Sequence, residues 1–379
     1  MERATQEGEK ESKEVMLSSP HIRHITRLCI LLPILVCKAS AAPAAPVLPT
    51  DNHYIFQGES PKFYMYVHRN FEGKASKAWT AGKYGFVRNL KRTEDGVIGT
   101  RFHEGIDISP LKRDSSNRPL DQIRSIDSGV VAYVNDVSSR SNYGKYLVVE
   151  HNWDSGPFCS LYAHLAEINV KVGEPITKGQ KIGIMGYTGV GLNRERSHLH
   201  LELSMLLSTD FDTWHDKHFK GSKNYHGNHN GLNMAGLDIG AFYIIQNRDK
   251  SMTIPSFVKT QKVYYQVTIP RNGPLALLER YPWLASGDIN KRTPSWELAF
   301  TASGLPVSIT PSMRQVTAPR VTSVPKCLSK HEYHTKGIIS GTGYRATLSK
   351  AGIRFIELIS ALHSPVAPVA PIAVPVEEP

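Results

Sequence analysis

Three short segments hold the residues whose types and spacing could do chemistry: His103-Glu104-Gly105-Ile106-Asp107, Tyr162-Ala163-His164-Leu165 and His198-Leu199-His200-Leu201-Glu202. In the last, polar and apolar residues alternate, so on a strand His198, His200 and Glu202 share one face while Leu199, Leu201 and Leu203 pack inward. One imidazole of the pair can ligate a metal while the other stays free above it. The first segment adds an imidazole and a carboxylate, but four extended residues span roughly 13 Å, so the chain must bend between His103 and Asp107. Gly105 permits that bend. The same glycine, β-branched Ile106 and Ile108, and nearby Pro110 oppose reading the segment as a helical His-Glu-x-x-Asp motif.

Two imidazoles and one carboxylate, with a fourth position left to water, are a catalytic zinc set rather than a closed structural one. Zinc lowers the pKa of bound water toward ~7, which makes a nucleophile able to attack an amide carbonyl at neutral pH. A base and a proton donor are still needed, and His164 and the free member of the His198/His200 pair suit those roles. Glu202 either orients an imidazole from behind or is a solvated carboxylate on the strand face.

Together with Asn142-Tyr143-Gly144, Val172-Gly173, Lys178-Gly179-Gln180-Lys181-Ile182-Gly183 and Gly186-Tyr187-Thr188-Gly189, the three segments resemble the M23 family of zinc peptidases, the LytM/lysostaphin type, over residues 99–204. The resemblance implies His103, Asp107 and His200 as ligands of one zinc ion per chain and His164 and His198 as the catalytic histidines. It also places Tyr143 where some members have a site-lining tyrosine. It implies hydrolysis of peptidoglycan peptide cross-links, with stem peptides as the partner. The other implied reading is a catalytically silent LytM-like module that binds the wall or regulates another wall hydrolase. Val190–Ser197 departs from the pattern by bringing Arg194 and Arg196 to one groove wall, where they could hold substrate carboxylates. That charge favours a D,D cross-link over a glycine bridge. Lys112, Arg113 and Arg118 are read as solubilising charge.

The elements that must position these residues are strands. Gly129–Val134, Tyr146–His151 and Lys181–Met185 are short apolar runs beside turn signals, and helical periodicity is sparse before residue 240. The expected fold is mainly β: an antiparallel LytM-type catalytic domain over residues 53–240, then a smaller β-rich domain over 241–363. In the second, Phe257–Ile269 and Trp296–Ile309 read as strands and Lys350–Leu362 as a closing helix. Ala/Pro-rich residues 42–52 read as a linker and residues 364–379 as a Pro-rich tail. A second histidine-rich stretch, Trp214-His215-Asp216-x-His218 and His226-Gly227-Asn228-His229, reads as surface or groove-lining loop rather than a second metal site.

Composition sets the compartment and partners. Lysine plus arginine outnumber aspartate plus glutamate by 45 to 34, a net charge of +11, which favours polyanions such as nucleic acid, anionic lipid or cell wall. The apolar run Leu28–Val36, preceded by Arg23 and Arg27 and followed by Ala39-Ser40-Ala41, reads as a secretory signal covering residues 1–41, with Met1 or Met16 as the start. Export to a periplasm, cell envelope or the exterior selects the wall and excludes nucleic acid. The run is too short for a stable membrane span. Of the four cysteines only Cys159 and Cys327 remain after cleavage, a candidate disulfide between the two halves.

Overall fold

The computed structural model describes residues 45–361, so the signal-like segment and the Pro-rich tail lie outside the described residues. Two antiparallel hairpins come first: β1 (Val67–Phe71) with β2 (Lys74–Ala78), and β3 (Gly85–Thr93) with β4 (Gly96–His103). The short strands β5 (Ile106–Ile108) and β6 (Gln122–Arg124) follow. Next come β7 (Gly129–Asn135), β8 (Tyr146–Trp153), β9 (Gly156–Ala163), β10 (Leu165–Ile168), β11 (Pro175–Ile176), β12 (Lys181–Met185), β13 (Leu199–Leu206) and β14 (Met234–Leu237). The main sheet runs β11-β7-β8-β9-β13-β14, and β5 also pairs with β13. A smaller sheet, β10-β12-β6, carries the turn after His164.

Alternation along β8, β9 and β13 divides their side chains between two apolar groups. Leu147, Val149, Phe158, Leu199, Leu201 and Leu203 enter the main core, while Tyr146, Val148, Cys159, Leu161 and Ala163 pack with Met234 on the opposite face. Both faces of β13 are buried, so its polar residues are not a solvated edge as a half-exposed strand would have them.

C-terminal to this sheet, β15 (Tyr265–Pro270), β16 (Ser295–Phe300), β17 (Pro306–Ser312) and β18 (Arg320–Ser323) form an antiparallel sheet in the order β17-β16-β15-β18. The expected boundary at residue 240 does not appear as a break in packing. Val267 and Leu298 of the second sheet and Ile356 of the helix Lys350–Ser360 share one core with Leu201 and Leu203. Tyr281 of the C-terminal half donates its hydroxyl to Pro157 O at 2.6 Å and accepts from Leu206 N at 2.9 Å.

Four expectations are corrected. Residues 45–52 are not a free linker: Val47 N donates to Ile126 O at 2.8 Å, and Leu48 enters the core. Phe257 lies in a helix, Ile254–Lys259, not a strand; Thr253 caps it and Pro255 starts it, a sequence signal that outweighs the apolar run. Trp214 and His215 are buried on the helix Phe211–His218 rather than in a loop, with the Trp214 indole N–H donating to Arg354 O at 2.8 Å. Cys159 and Cys327 are free thiols, one within β9 and the other beside Asp95. Among the described residues no helix is long and apolar enough to cross a membrane.

Candidate metal centre

Strand register brings the three segments together. His200 on β13 pairs across to Asp107 on β5 on one side and to Ala163 on β9 on the other, and Ala163 precedes His164. His103 ends β4. Gly105 sits at the expected bend between β4 and β5, and it is also required for close approach: a Cβ there would lie 2.1 Å from Leu201 O. His164 has φ of 63°, a left-handed conformation rare for a side-chain-bearing residue, and it turns the chain from β9 into β10.

Three ligand atoms converge. His103 Nε2, Asp107 Oδ1 and His200 Nδ1 form a triangle with each side 3.0 Å, and all three residues are buried. The outer bonds fix the tautomers. His103 Nδ1 lies 2.8 Å from Lys83 O, a carbonyl that only accepts, so this nitrogen carries the proton and Nε2 carries the lone pair. His200 Nε2 donates to Glu202 Oε1 at 2.8 Å, which leaves its Nδ1 lone pair facing the triangle.

Two imidazole lone pairs and a carboxylate oxygen cannot face one another at this distance without a positive charge between them. A divalent cation fits that need. The same surroundings push His200 up to about 9: burial opposes the charge, but the bonds to Asp107 and Glu202 outweigh it. Asp107 is held well below the usual carboxylate range despite burial, by His103, His198 and Arg88.

The other predicted residues surround this triangle. Burial, then the neighbouring His198 and His200, push His164 well below the ordinary imidazole value. Its Nδ1 donates to Thr188 O at 2.8 Å, leaving Nε2 as the basic atom. His198 Nδ1 donates to Arg196 O at 2.7 Å, and its Nε2 lies 3.4 Å from Asp107 Oδ1. The two rings are edge-on, with centroids 4.8 Å apart. Glu202 is buried and accepts from both His200 and the Tyr143 hydroxyl, the latter at 2.5 Å. These bonds outweigh burial and keep its carboxyl below its ordinary value.

A groove of about 880 Å³ runs over the centre, lined by His103, Asp107, His164, His198, Arg88 and Arg196 among others. The two predicted arginines separate. Arg196 faces the groove, and its buried Nε has no hydrogen-bond partner. Arg194 is exposed and turns to Ser116 O at 3.3 Å.

Sequence reasoning missed Arg88. It lies on β3, upstream of the motif segments, and its Nη2 is 2.5 Å from Asp107 Oδ2, while its Nε donates to Ala81 O at 3.0 Å. No spacing rule marks it, because its role depends on the β3–β4 hairpin folding over the centre.

Residues 101–211 match Peptidase family M23. Peptidoglycan DD-endopeptidase ShyA of Vibrio cholerae is 38% identical over 60 residues, which are 16% of this chain and 13% of that protein. This chain therefore spans a small part of that relative's length. Among solved structures, the catalytic domain of the antimicrobial peptidase lysostaphin from Staphylococcus simulans is 24% identical, covering 32% of this chain and 75% of that one, with a TM-score of 0.23. A zinc-containing peptidase from Vibrio cholerae is 26% identical, covering 32% and 36%, with a TM-score of 0.22. With His103, Asp107, His164, His198 and His200 all inside the matched segment and gathered in one groove, this chain carries a domain of peptidase family M23.

Proposed function

We propose that the protein is an exported zinc metalloendopeptidase that hydrolyses peptide cross-links of peptidoglycan. The observation that carries the reading is the triangle of His103 Nε2, Asp107 Oδ1 and His200 Nδ1, whose tautomers leave three lone pairs aimed at one point. Two nitrogens and one oxygen match the donor preference of zinc, and the absence of sulfur matches a catalytic rather than a structural site. Zinc held there would polarise a scissile carbonyl and acidify a water molecule.

This chain's own residues supply the proton transfers. His164 Nε2, with Nδ1 committed to Thr188 O, is a neutral base at the groove and accepts the proton of the attacking water. His198 Nε2 lies beside Asp107 and serves the departing amine or the developing oxyanion. Glu202 holds His200 in one tautomer, and Tyr143 holds Glu202. Arg88 occupies the outer oxygen of Asp107, so that only Oδ1 faces the centre.

The substrate side is supported by the likeness to a peptidoglycan endopeptidase, the signal-like N-terminal sequence and the basic groove. Arg196, with an unpaired buried Nε, suits a carboxylate on a D,D cross-link better than a glycine bridge, which offers none. Digestion of purified sacculi by the full chain, with mass spectrometry of the fragments, tests the reading. Cleaved D-alanyl cross-links are the expected product. Unchanged sacculi from zinc-loaded protein would favour the silent wall-binding module, and cleavage of pentaglycine alone would reverse the substrate assignment.

A further inference from the structure

A row of polar side chains crosses the main sheet on the face opposite the main core. Glu150 on β8 is paired with Cys159 on β9, and Cys159 is paired with Ser204 on β13, so a carboxylate, a thiol and a hydroxyl stand side by side on one face. The segment 224–233 covers this face and brings His229 to it. One ligand atom each from Glu150, Cys159 and His229 lies within 4.8 Å of the others. Despite this proximity none of the three side chains hydrogen-bonds another, and Cys159 is a free thiol. His229 Nε2 and Ser204 Oγ are both buried without any partner.

Burying an imidazole nitrogen and a hydroxyl unpaired is costly, so such groups in a native fold call for an explanation. We propose that Glu150, Cys159 and His229 form a second cation site, for a borderline-soft divalent ion such as zinc, separate from the groove. Thiolate, imidazole and carboxylate are all zinc donors. Bonds of about 2.0–2.3 Å put tetrahedral donors roughly 3.3–3.6 Å apart, so closing the set moves side chains by about an ångström at most. Ser204, beside Cys159, can accept from or donate to the water that fills the fourth position.

A rival cluster, Asp95, Cys327 and His334, shows by contrast what a set without need of an ion looks like. There Asp95 accepts from Ser329 N at 2.7 Å, Ser329 Oγ at 2.6 Å and Cys327 Sγ at 3.2 Å, and His334 Nε2 bonds Ser329 Oγ at 2.9 Å. Every ligand atom is already satisfied.

The ion would fasten segment 224–233 to the sheet. That segment also binds through His226 Nδ1 to the Tyr146 hydroxyl at 2.6 Å. Its Asn230, Gly231 and Leu232 line a second cavity of about 390 Å³ that meets the groove at Glu104 and Tyr143. The ion would therefore brace a wall that lies next to the substrate path.

Cobalt(II) distinguishes the two sites, because the groove centre contains no sulfur and cannot give a sulfur-to-cobalt charge-transfer absorption. The full chain, kept reduced and loaded with cobalt(II), is expected to bind two ions and show that absorption. It should persist in Cys327→Ser and vanish in Cys159→Ser, with the cobalt count falling from two to one. Should Cys159→Ser fail to fold, His229→Ala and Glu150→Gln give the same count without touching the thiol. Absence of the absorption in the wild-type chain, its loss in Cys327→Ser, or two ions still bound by His229→Ala would each overturn the proposal. None of these outcomes depends on whether the groove hydrolyses anything.

Discussion

Glu202→Gln isolates the electrostatic part of the metal centre, because glutamine is the same shape and differs in charge. Both donors to Glu202, His200 Nε2 at 2.8 Å and the Tyr143 hydroxyl at 2.5 Å, reach the same oxygen, Oε1. A glutamine with its carbonyl oxygen in that place keeps both bonds. Both change from charge-assisted to neutral, and the one that reaches the metal is the bond from His200. Charge-assisted bonds contribute about 1.5–3 kcal/mol and neutral ones about 0.5–1.5. The loss of roughly 1.5 kcal/mol falls on His200, whose Nδ1 becomes a weaker donor to the metal. Since about 1.4 kcal/mol is tenfold, zinc affinity should fall at least tenfold, within the 10–100-fold range typical of residues that orient metal ligands. Competition against a chromophoric chelator at neutral pH measures it. Tyr143→Phe, which leaves the Glu202 charge in place, should cost less than fivefold. Affinity within twofold of wild type for Glu202→Gln, at unchanged thermal stability, would refute the argument that Glu202 acts through His200.

Other outcomes follow from the same geometry. His103→Ala, Asp107→Ala and His200→Ala should lose both metal and activity, whereas His164→Ala and His198→Ala should keep most of the zinc and lose activity; metal analysis of the five proteins decides. Gly105→Ala places a Cβ against Leu201 O and should destabilise the fold by about 3 kcal/mol, read by chemical denaturation. Arg196→Ala should raise KM for cross-linked muropeptides several-fold while Arg194→Ala leaves it within twofold, because only Arg196 faces the groove. Hydrogen bonds from the Ser329 side chain and backbone, then Leu328 and Cys327, hold the Asp95 carboxyl well below its ordinary 3.8. A depressed carboxyl stabilises the fold above the unfolded-state value and loses that contribution as pH falls further, so stability of the wild type should drop more steeply than that of Asp95→Asn below about pH 4.

How much was legible in the sequence depends on whether a residue's role is set locally or by packing. The ligand strand was legible because alternation in His198-Leu199-His200-Leu201-Glu202 states which side chains share a face, and the described sheet places His200 and Glu202 on one face with Leu201 on the other. Glu202 could be read as either solvated or orienting, and only the burial of both faces of β13 separates these. Arg88 and the free state of Cys159 were not legible, since each depends on partners distant in the chain. The helix Ile254–Lys259 was legible in principle: Thr253 and Pro255 are start signals that the following apolar run obscured. The packing of residues 45–52 could not be foreseen, because alanine and proline describe a linker equally well whether or not a surface lies beneath it.

The C-terminal half, which contributes none of the ligands, bears on the centre through the β3–β4 hairpin. Arg88 on β3 touches Asp107, and the opposite end of the hairpin is held by the C-terminal segment: Asp95 at its tip accepts from Leu328 and Ser329, and Lys91 donates to the Tyr333 hydroxyl at 2.5 Å. On the same side, Lys336 pairs with Glu104, the residue after His103, at 2.6 Å. Tyr84, just before β3, donates to Gly236 O at 2.7 Å and meets the Ser303 hydroxyl at 3.2 Å. Bonds of this kind, part-buried or exposed, are individually modest, but they act on one two-stranded ribbon, and an isolated ribbon is at best marginally stable. A hairpin that must hold a guanidinium against a buried metal-ligand carboxylate cannot be left to its own stability. The segment 327–336 therefore works as a brace, which is a physical reason for the second sheet to share a core with the first instead of hanging from it by a linker.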